Sequence, residues 1–299
     1  MYKLESNQND KVTIVIVMYK ESFDLIYQTL NKIKNFKKII IDNAGNEYLK
    51  KKITSSFFIN QYILNKKNIG FSAGYNQGIY LSNTDFTLVL NPDCIISEKD
   101  ILILLGKFEI YNQCLVLSPT ALDLTNKLTY VGGPLPENGD KNVVLKVDGD
   151  TCVESVLGAC MIFPTKEFKS NNLFFDENLF LYFSDDDLCR NIKKINKTVI
   201  QILDAKCIHQ HGNIKVSNKL VRIFIREYHF TFDKLYYFFK VNKHHYLINY
   251  YNHKFFSLVF RLCIKILTMQ IFESTKIFSR LLAYSKFFIK FIWRGGRVV

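Results

Sequence analysis

The uncharged, β-branched run Val12-Thr13-Ile14-Val15-Ile16-Val17-Met18 is the strongest constraint on the fold. A strand of that composition needs cover on both faces, which predicts a parallel sheet sandwiched between helices. The next residues fit: from about 21 to 34, Phe23, Ile26, Leu30 and Ile33 fall at helical spacing, and Ile39-Ile40-Ile41 follows as a second strand. Phe57 to Leu64 is expected as a third strand and Phe86 to Leu90, after a helix, as a fourth. Strands alternating with helices through short polar connections mark a doubly wound α/β fold.

In open α/β sheets ligands sit beyond the carboxyl ends of the strands, so the residues just after each strand carry the chemistry. The second run ends in Asp42-Asn43-Ala44-Gly45 and the fourth in Asn91-Pro92-Asp93. Pro92 removes a backbone donor and stops the ladder, leaving Asp93 at the crevice as a candidate metal ligand; turn chemistry alone is the competing account. Between the third and fourth strands, Gly70, Gly74 and Gly78 fall at i, i+4 and i+8 of Asn68-Ile69-Gly70-Phe71-Ser72-Ala73-Gly74-Tyr75-Asn76-Gln77-Gly78. That strip suits close packing of a helix on the sheet, or a helix whose amino end faces a diphosphate. It is neither G-x-G-x-x-G nor G-x-x-x-x-G-K-[ST], which disfavours classical dinucleotide and P-loop chemistry.

Further on, residues 97 to 110 read as a helix, Cys114 to Leu117 as a strand, and 119 to 150 as irregular, with Asp148-Gly149-Asp150 as a solvated turn. Leu157 to Phe163 reads as a strand ending at Pro164. In Ser184-Asp185-Asp186-Asp187, Ser184 and Asp187 have the spacing of a capping pair opening a helix through about Lys194. Three adjacent carboxylates also repel, which favours one of them as a proton acceptor. His209-Gln210-His211 ends another short strand, where a histidine is either a packing residue or a ligand.

Charge divides the chain. Through His211 there are 24 Lys+Arg and 24 Asp+Glu, and from Gly212 onward 16 against 3, so the whole excess of +13 lies in the last third. The expected boundary is therefore 1–211 for a catalytic domain and 212–299 for a basic appendage with an anionic partner. From Lys254 to Arg294 the sequence reads as one long helix or two in series. Stepping 100° per residue, Lys254, Lys265, Lys276, Arg280, Lys286, Lys290 and Arg294 gather around Arg261, opposite Phe, Leu and Ile. A segregated face of that kind suits an anionic membrane surface, or packing of the apolar side on the catalytic domain, better than nucleic acid. No charge-free run reaches the roughly 18 residues of a membrane span. The seven cysteines show no C-x-x-C spacing and read as reduced packing residues, which makes a cysteine zinc site unexpected. The polar first eleven residues lack a secretory pattern, which points to the cytoplasm.

Taken together, Val12 to Lys20, Ile39 to Asn46, Asn68 to Gly78, Leu88 to Asp93, Gly158 to Arg190 and Ala205 to Gly212 resemble, in order, bacterial family 2 glycosyltransferases. The resemblance is to the rhamnosyltransferase-like branch of surface-polysaccharide biosynthesis. It implies a GT-A fold, an α/β architecture with a Rossmann-like, mostly parallel central sheet flanked by helices, here followed by the basic helical region. It further implies that Asp42 and Asn43 contact the nucleotide, and that Asn68, Gly70, Phe71, Gly74 and Asn76 lie near the sugar nucleotide. Asn91 and Asp93 match the D-x-D-type element that holds Mg²⁺ or Mn²⁺ on the diphosphate, and His209 matches the histidine after the last core strand, a further metal ligand. Asp185 takes the position of the general base. Ser184 replaces the family's glutamate, so that acid's acceptor-binding role is either lost here or passed to Asp186, with Asp187 also in the substrate-binding stretch.

The expected reaction is inverting transfer of a sugar, with rhamnose from a dTDP donor or a UDP-sugar as candidates, to a polyprenyl-linked glycan at the cytoplasmic face of the inner membrane. The protein is expected to be peripheral there and not to bind nucleic acid. The departure at Ser184 keeps open a non-catalytic membrane-surface protein on a degenerate GT-A fold. A nucleotidyltransferase would call for a glycine-rich basic loop after the first strand, which Met18-Tyr19-Lys20-Glu21-Ser22 lacks.

Overall fold

The computed structural model describes residues 8–130, 132–139, 148–210, 218–241 and 244–293. The chain forms two compact units, Met1–Asp176 with Ser184–Lys215, and Glu177–Phe183 with Val216–Val299.

The first unit is built on a ten-stranded sheet. In chain order it comprises β1 (Val12–Met18), α1 (Phe23–Lys32), β2 (Lys37–Asp42), α2 (Glu47–Ser56), β3 (Gln61–Leu64), α3 (Gly70–Leu81), β4 (Phe86–Leu90), β5 (Cys94–Ile96) and α4 (Glu98–Ile110). Next come β6 (Cys114–Leu122), β7 (Leu128–Tyr130), β8 (Thr151–Val153), β9 (Cys160–Pro164), α5 (Thr165–Ser170), α6 (Ser184–Lys194) and β10 (Thr198–His209). The strand order is β3-β2-β1-β4-β9-β6-β10-β5, with β7 beside β6 and β8 beside β10. β3, β2, β1 and β4 run parallel, so their carboxyl ends share one edge. β9 then enters antiparallel to β4, with Leu90 opposite Cys160.

Both faces of the sheet are covered, as the uncharged β1 run demands. Ile14 and Ile16 point into a core with α1, α2 and α4, while Val15 faces Tyr75 and Ile79 of α3 on the other side. The glycine strip of α3 lies on that second face: a Cβ at Gly78 would stand 2.1 Å from Val15 Cγ1, and one at Gly74 2.8 Å from Val17 Cγ1. Only hydrogen fits there, so Gly74 and Gly78 set how closely α3 approaches β1.

Several local expectations change. The third strand starts at Gln61 because α2 runs on to Ser56 and the Phe57 amide still bonds to Ile53 O at 2.9 Å. The stretch after residue 119 is not all irregular, since β6 continues to Leu122 and pairs with β7. Asp150 is no solvated turn residue: it bonds Lys107 Nζ at 2.6 Å, Tyr111 Oη at 2.8 Å and the Leu203 amide at 3.0 Å, and these bonds hold its carboxyl below the ordinary range against the pull of burial. Ser184 does not cap α6 but stands inside its first turn, its hydroxyl 2.7 Å from that of Ser72.

The second unit comprises α7 (Lys219–Lys240), α8 (His244–Leu267) and α9 (Ile271–Phe287), all packed on one another. Asn218 caps α7, accepting from Leu220 N at 2.9 Å and Val221 N at 3.3 Å. The basic segment resolves into two helices rather than one: Met269 takes φ +54° and breaks the run before Gln270. Arg294 of the basic face lies outside the described residues. The core holds Tyr236, Tyr237, Leu258, Ile277, Tyr284 and Phe287 together with Leu179. Among the described residues no helix is long and apolar enough to cross a membrane.

Candidate active site

The parallel register puts Asp42 level with Met18 at the carboxyl edge. Asp42 is 1% exposed and accepts from Ala44 N at 2.8 Å, Asn46 N at 3.2 Å and Tyr62 Oη at 3.2 Å. These bonds fix its rotamer yet leave lone pairs unused, since a carboxylate offers about four acceptor sites. Asn43, beside it, donates to Gly70 O at 2.9 Å and accepts from Asn65 Nδ2 at 2.8 Å. It thereby ties the end of β2 to the start of α3. Gly70 adopts φ +91°, a conformation that favours glycine, and its amide bonds Asn68 Oδ1 at 2.9 Å.

The remaining residues of that motif face inward. Both polar atoms of Asn76 are spent on Phe175, donating to its carbonyl at 2.9 Å and accepting from its amide at 3.0 Å. Phe71 packs edge-on to Tyr75 and Phe175, with centroids at 4.5 and 5.6 Å. Asn76 and Phe71 thus hold the segment leading towards α6.

After β4, Asn91 accepts from Tyr75 Oη at 3.0 Å, and its amide bonds Ala159 O at 2.8 Å. Asp93, 7% exposed, lies with Oδ1 3.4 Å from Nε2 of His209, itself 8% exposed. The ladder causes this pairing, because β10 runs antiparallel to β5 with His209 opposite Cys94, and Gln210 N bonds Asp93 O at 3.0 Å. A carboxylate oxygen and an imidazole nitrogen at that separation suit one divalent cation, so the two side chains fit the expected metal site. His211 lies outside the described residues.

The acids of α6 do not share one environment. Asp185 accepts from Gly158 N at 3.0 Å through Oδ2 and from Asp186 N at 3.1 Å through Oδ1. Asp186, 4% exposed, takes the Ser155 hydroxyl at 2.5 Å. Asp187 is fully buried and accepts from Asn191 Nδ2 at 3.4 Å. Of the three, Asp185 is the one not wholly enclosed. Gly158 and Ala159 run into β9 directly beside Asn91, which brings Asp185 to the edge where Asp42 and Asp93 stand.

Sequence reasoning missed Glu21, which comes after β1, between the ends of β2 and β4. Burial, with the charges of Asp93 and Asp42 adding to it, pushes its carboxyl up to about 7, while its bond to the Tyr19 amide opposes the rise. Lys20 at φ +67° turns the chain so that Glu21 reaches this position. An acid shortly after the first strand was the available signal. The sequence also hides a second grouping: Cys94, Cys160 and Cys207, from β5, β9 and β10, bring their sulfurs within 4.8 Å of one another. All three are buried in the apolar core directly below the Asp93 and His209 pair.

Residues 13–131 match the family model described as glycosyl transferase family 2. By sequence, no curated protein matches significantly. Among solved structures, GalNAc-T7 with UDP, GalNAc and Mn²⁺ superposes with a TM-score of 0.55 at 12% identity over 75% of this chain and 51% of that one. Mannosyltransferase PcManGT from Pyrobaculum calidifontis, in complex with GDP-Man and Mn²⁺, gives 0.51 at 12% identity over 75% and 63%. TarS 1-349 of S. aureus gives 0.52 at 11% identity over 96% and 92%. The match thus spans about half the length of the first of these proteins and under two thirds of the second. The chain has the GT-A glycosyltransferase fold, followed by C-terminal helices, and residues 13–131 within it carry the pattern of glycosyl transferase family 2.

Proposed function

We propose that this protein is an inverting glycosyltransferase that moves a sugar from a nucleoside-diphosphate donor to a hydroxyl of a lipid-linked glycan. The observation that carries the reading is the meeting of Asp42, the Asp93 and His209 pair, and Asp185 at one carboxyl edge of the sheet. The family-model match and the nucleotide-sugar complexes of the structural neighbours point the same way.

In this reading Asp42 and Asn43 orient the nucleotide, and Asp93 and His209 would hold Mg²⁺ or Mn²⁺. When bound, such a cation supplies positive charge against the departing diphosphate. Asp185 is held by the Gly158 amide so that a remaining carboxylate lone pair can accept the proton of the acceptor hydroxyl. The freed oxygen attacks the anomeric carbon from the face opposite the leaving group. A rhamnosyl donor, a surface polysaccharide as product and a polyprenyl carrier at the inner membrane are the finer parts of the proposal.

The test is thermal-shift screening of UDP, dTDP and GDP with and without Mn²⁺, followed by transfer assays with the base that binds. The reading requires Asp185→Asn to keep nucleotide binding and lose at least about 10²-fold in transfer. Near-wild-type transfer by that variant sinks it.

A further inference from the structure

Three strands of the first unit each bring one cysteine to the same side of the sheet. On β9, Cys160 and Ile162 point into the core shared with α1 and α4, while Met161 and Phe163 point to the other side. On β10, Ala205 and Cys207 take that first side, and Cys94 of β5 joins them because β5 runs antiparallel to β10 with Cys94 opposite His209. All three cysteines are buried, and their sulfurs lie within 4.8 Å of one another. Among the described residues no histidine or acid completes the group.

Apolar packing accounts for a single buried cysteine, but it does not ask for three side by side from strands far apart in sequence. A disulfide would join two sulfurs and strand the third, and all three are thiols. A shared ion uses all of them. Sulfurs about 2.3 Å from one ion, the usual thiolate distance, stand about 4 Å apart in a plane and closer in a pyramid. A triangle with no side above 4.8 Å reaches either geometry when each sulfur moves inward by about 1 Å or less.

We infer that Cys94, Cys160 and Cys207 form a three-sulfur site for a trivalent thiophilic ion of the arsenic(III) class. A donor set of sulfur alone rejects hard cations such as Mg²⁺, Mn²⁺ and Ca²⁺. Charge then selects among the soft ones, because thiolates are the ligands and an uncompensated charge in an apolar core is costly. Three thiolates leave Cu⁺ at −2 and Zn²⁺ at −1, and a structural zinc also calls for a fourth ligand. A trivalent ion leaves no charge, and its lone pair takes the fourth position. Arsenous acid, As(OH)₃, is small and uncharged, which suits entry to a buried site. In the binding step three As–S bonds form, three As–O and three S–H bonds break, and three waters leave. Arsenic stays trivalent throughout, so no oxidant or reductant is needed. Cys94 follows Asp93 directly and Cys207 precedes His209 by two residues, while Ala159, just before Cys160, accepts the Asn91 amide at 2.8 Å. Occupation would therefore tie together the three strand ends beneath the crevice. The assignment does not rest on the transferase reading.

The experiment is anaerobic titration of the full chain with sodium arsenite, read by native mass spectrometry. The exposed thiols are first removed by Cys152→Ser/Cys263→Ser. In that background the expected result is one arsenic per chain, with a mass gain of one arsenic less three hydrogens and a rise in Tm. Adding Cys160→Ala/Cys207→Ala should weaken binding at least about 100-fold, since the loss of even an outer partner of a metal ligand costs 10- to 100-fold. Adding Cys114→Ala instead, which removes a buried thiol of the same core outside the triangle, should leave binding near the background. X-ray absorption at the arsenic edge of the loaded background needs no core substitution and should show three sulfurs and no oxygen or nitrogen. Absent binding in the background, binding that survives Cys160→Ala/Cys207→Ala, equal losses in the two core variants, or an oxygen or nitrogen ligand overturns the assignment. Zn²⁺ retained as tightly as arsenic overturns the choice of a trivalent ion.

Discussion

Gly158 donates its backbone N–H to Oδ2 of Asp185 at 3.0 Å, and a Cβ placed on Gly158 would stand 3.1 Å from Asp185 Cβ and 3.4 Å from its carboxylate. The same residue therefore orients the proposed base and leaves room for it. Gly158→Ala forces one of the two to yield by a few tenths of an ångström. Positioning errors far below a bond length are costly in displacement reactions. The expected outcome is kcat reduced by about 10- to 100-fold with the donor KM within about twofold, read from initial rates at varied donor.

Asp93 and His209 stand 3.4 Å apart, which predicts that nucleotide binding is coupled to a divalent cation through both. In the wild type, a nucleotide at a hundred times its Kd stabilises by about 2.7 kcal/mol, equivalent to roughly 5–10 °C in Tm for a unit of this size. Asp93→Asn and His209→Ala should each remove most of the Mn²⁺-dependent part of that shift and leave any metal-independent part unchanged. A shift unaltered in both variants would place the cation elsewhere.

How much of this was legible in the sequence depends on how many chain segments each feature needs. The parallel half of the sheet is readable from single stretches, because an uncharged β-branched run such as Val12–Met18 has few other uses. Asp42 and Asp93 could be placed for the same reason, each closing its own strand. Glu21 could not, since its burial is created by the neighbours of β1. The resemblance set Asn76 near the donor, whereas its bonds to Phe175, 99 positions away, are a long-range contact that no single stretch of sequence announces. The cysteine cluster draws on three strands. From Lys254 onward the sequence left open one helix or two in series, because the break at Met269 carries no proline or glycine to mark it.

Asp233 predicts a pH dependence confined to the helical unit. It is fully buried, and this burial raises its carboxyl to about 6 although the amides of Leu181 and Tyr182, each at 2.9 Å, pull the other way. A carboxyl raised in the folded state contributes stability that is complete below its unfolded value, near 3.9. That contribution is lost as pH rises through about 6. Stability of the helices should thus fall by roughly 1–3 kcal/mol between pH 4 and pH 7 on this account. Asp233→Asn should flatten that slope while costing about 1–3 kcal/mol overall for the amides it leaves poorly paired. Urea unfolding of both proteins at the two pH values gives the four numbers needed.

The turn between α8 and α9 supplies the last prediction. Leu267 is 82% exposed and Met269 83%, with Ile266 at 59% and Ile271 at 61%, so the break exposes four large apolar side chains in a short stretch. Isolated exposed apolar residues are ordinary, but a run of them at a helix joint flanked by Lys265 and Lys276 is suited to an anionic lipid surface. The apolar groups would enter the interface, and the lysines would remain at the headgroups, each worth about 1 kcal/mol near such a surface. Leu267→Asp/Met269→Asp should therefore lower sedimentation with phosphatidylglycerol vesicles by at least about tenfold. Its Tm should stay close to wild type, because neither side chain belongs to the helical core. Binding should also weaken with added salt in the wild type, since the cationic part is screened over a Debye length of about 8 Å at physiological ionic strength. Salt-insensitive binding that survives the double substitution would remove this turn as the point of contact.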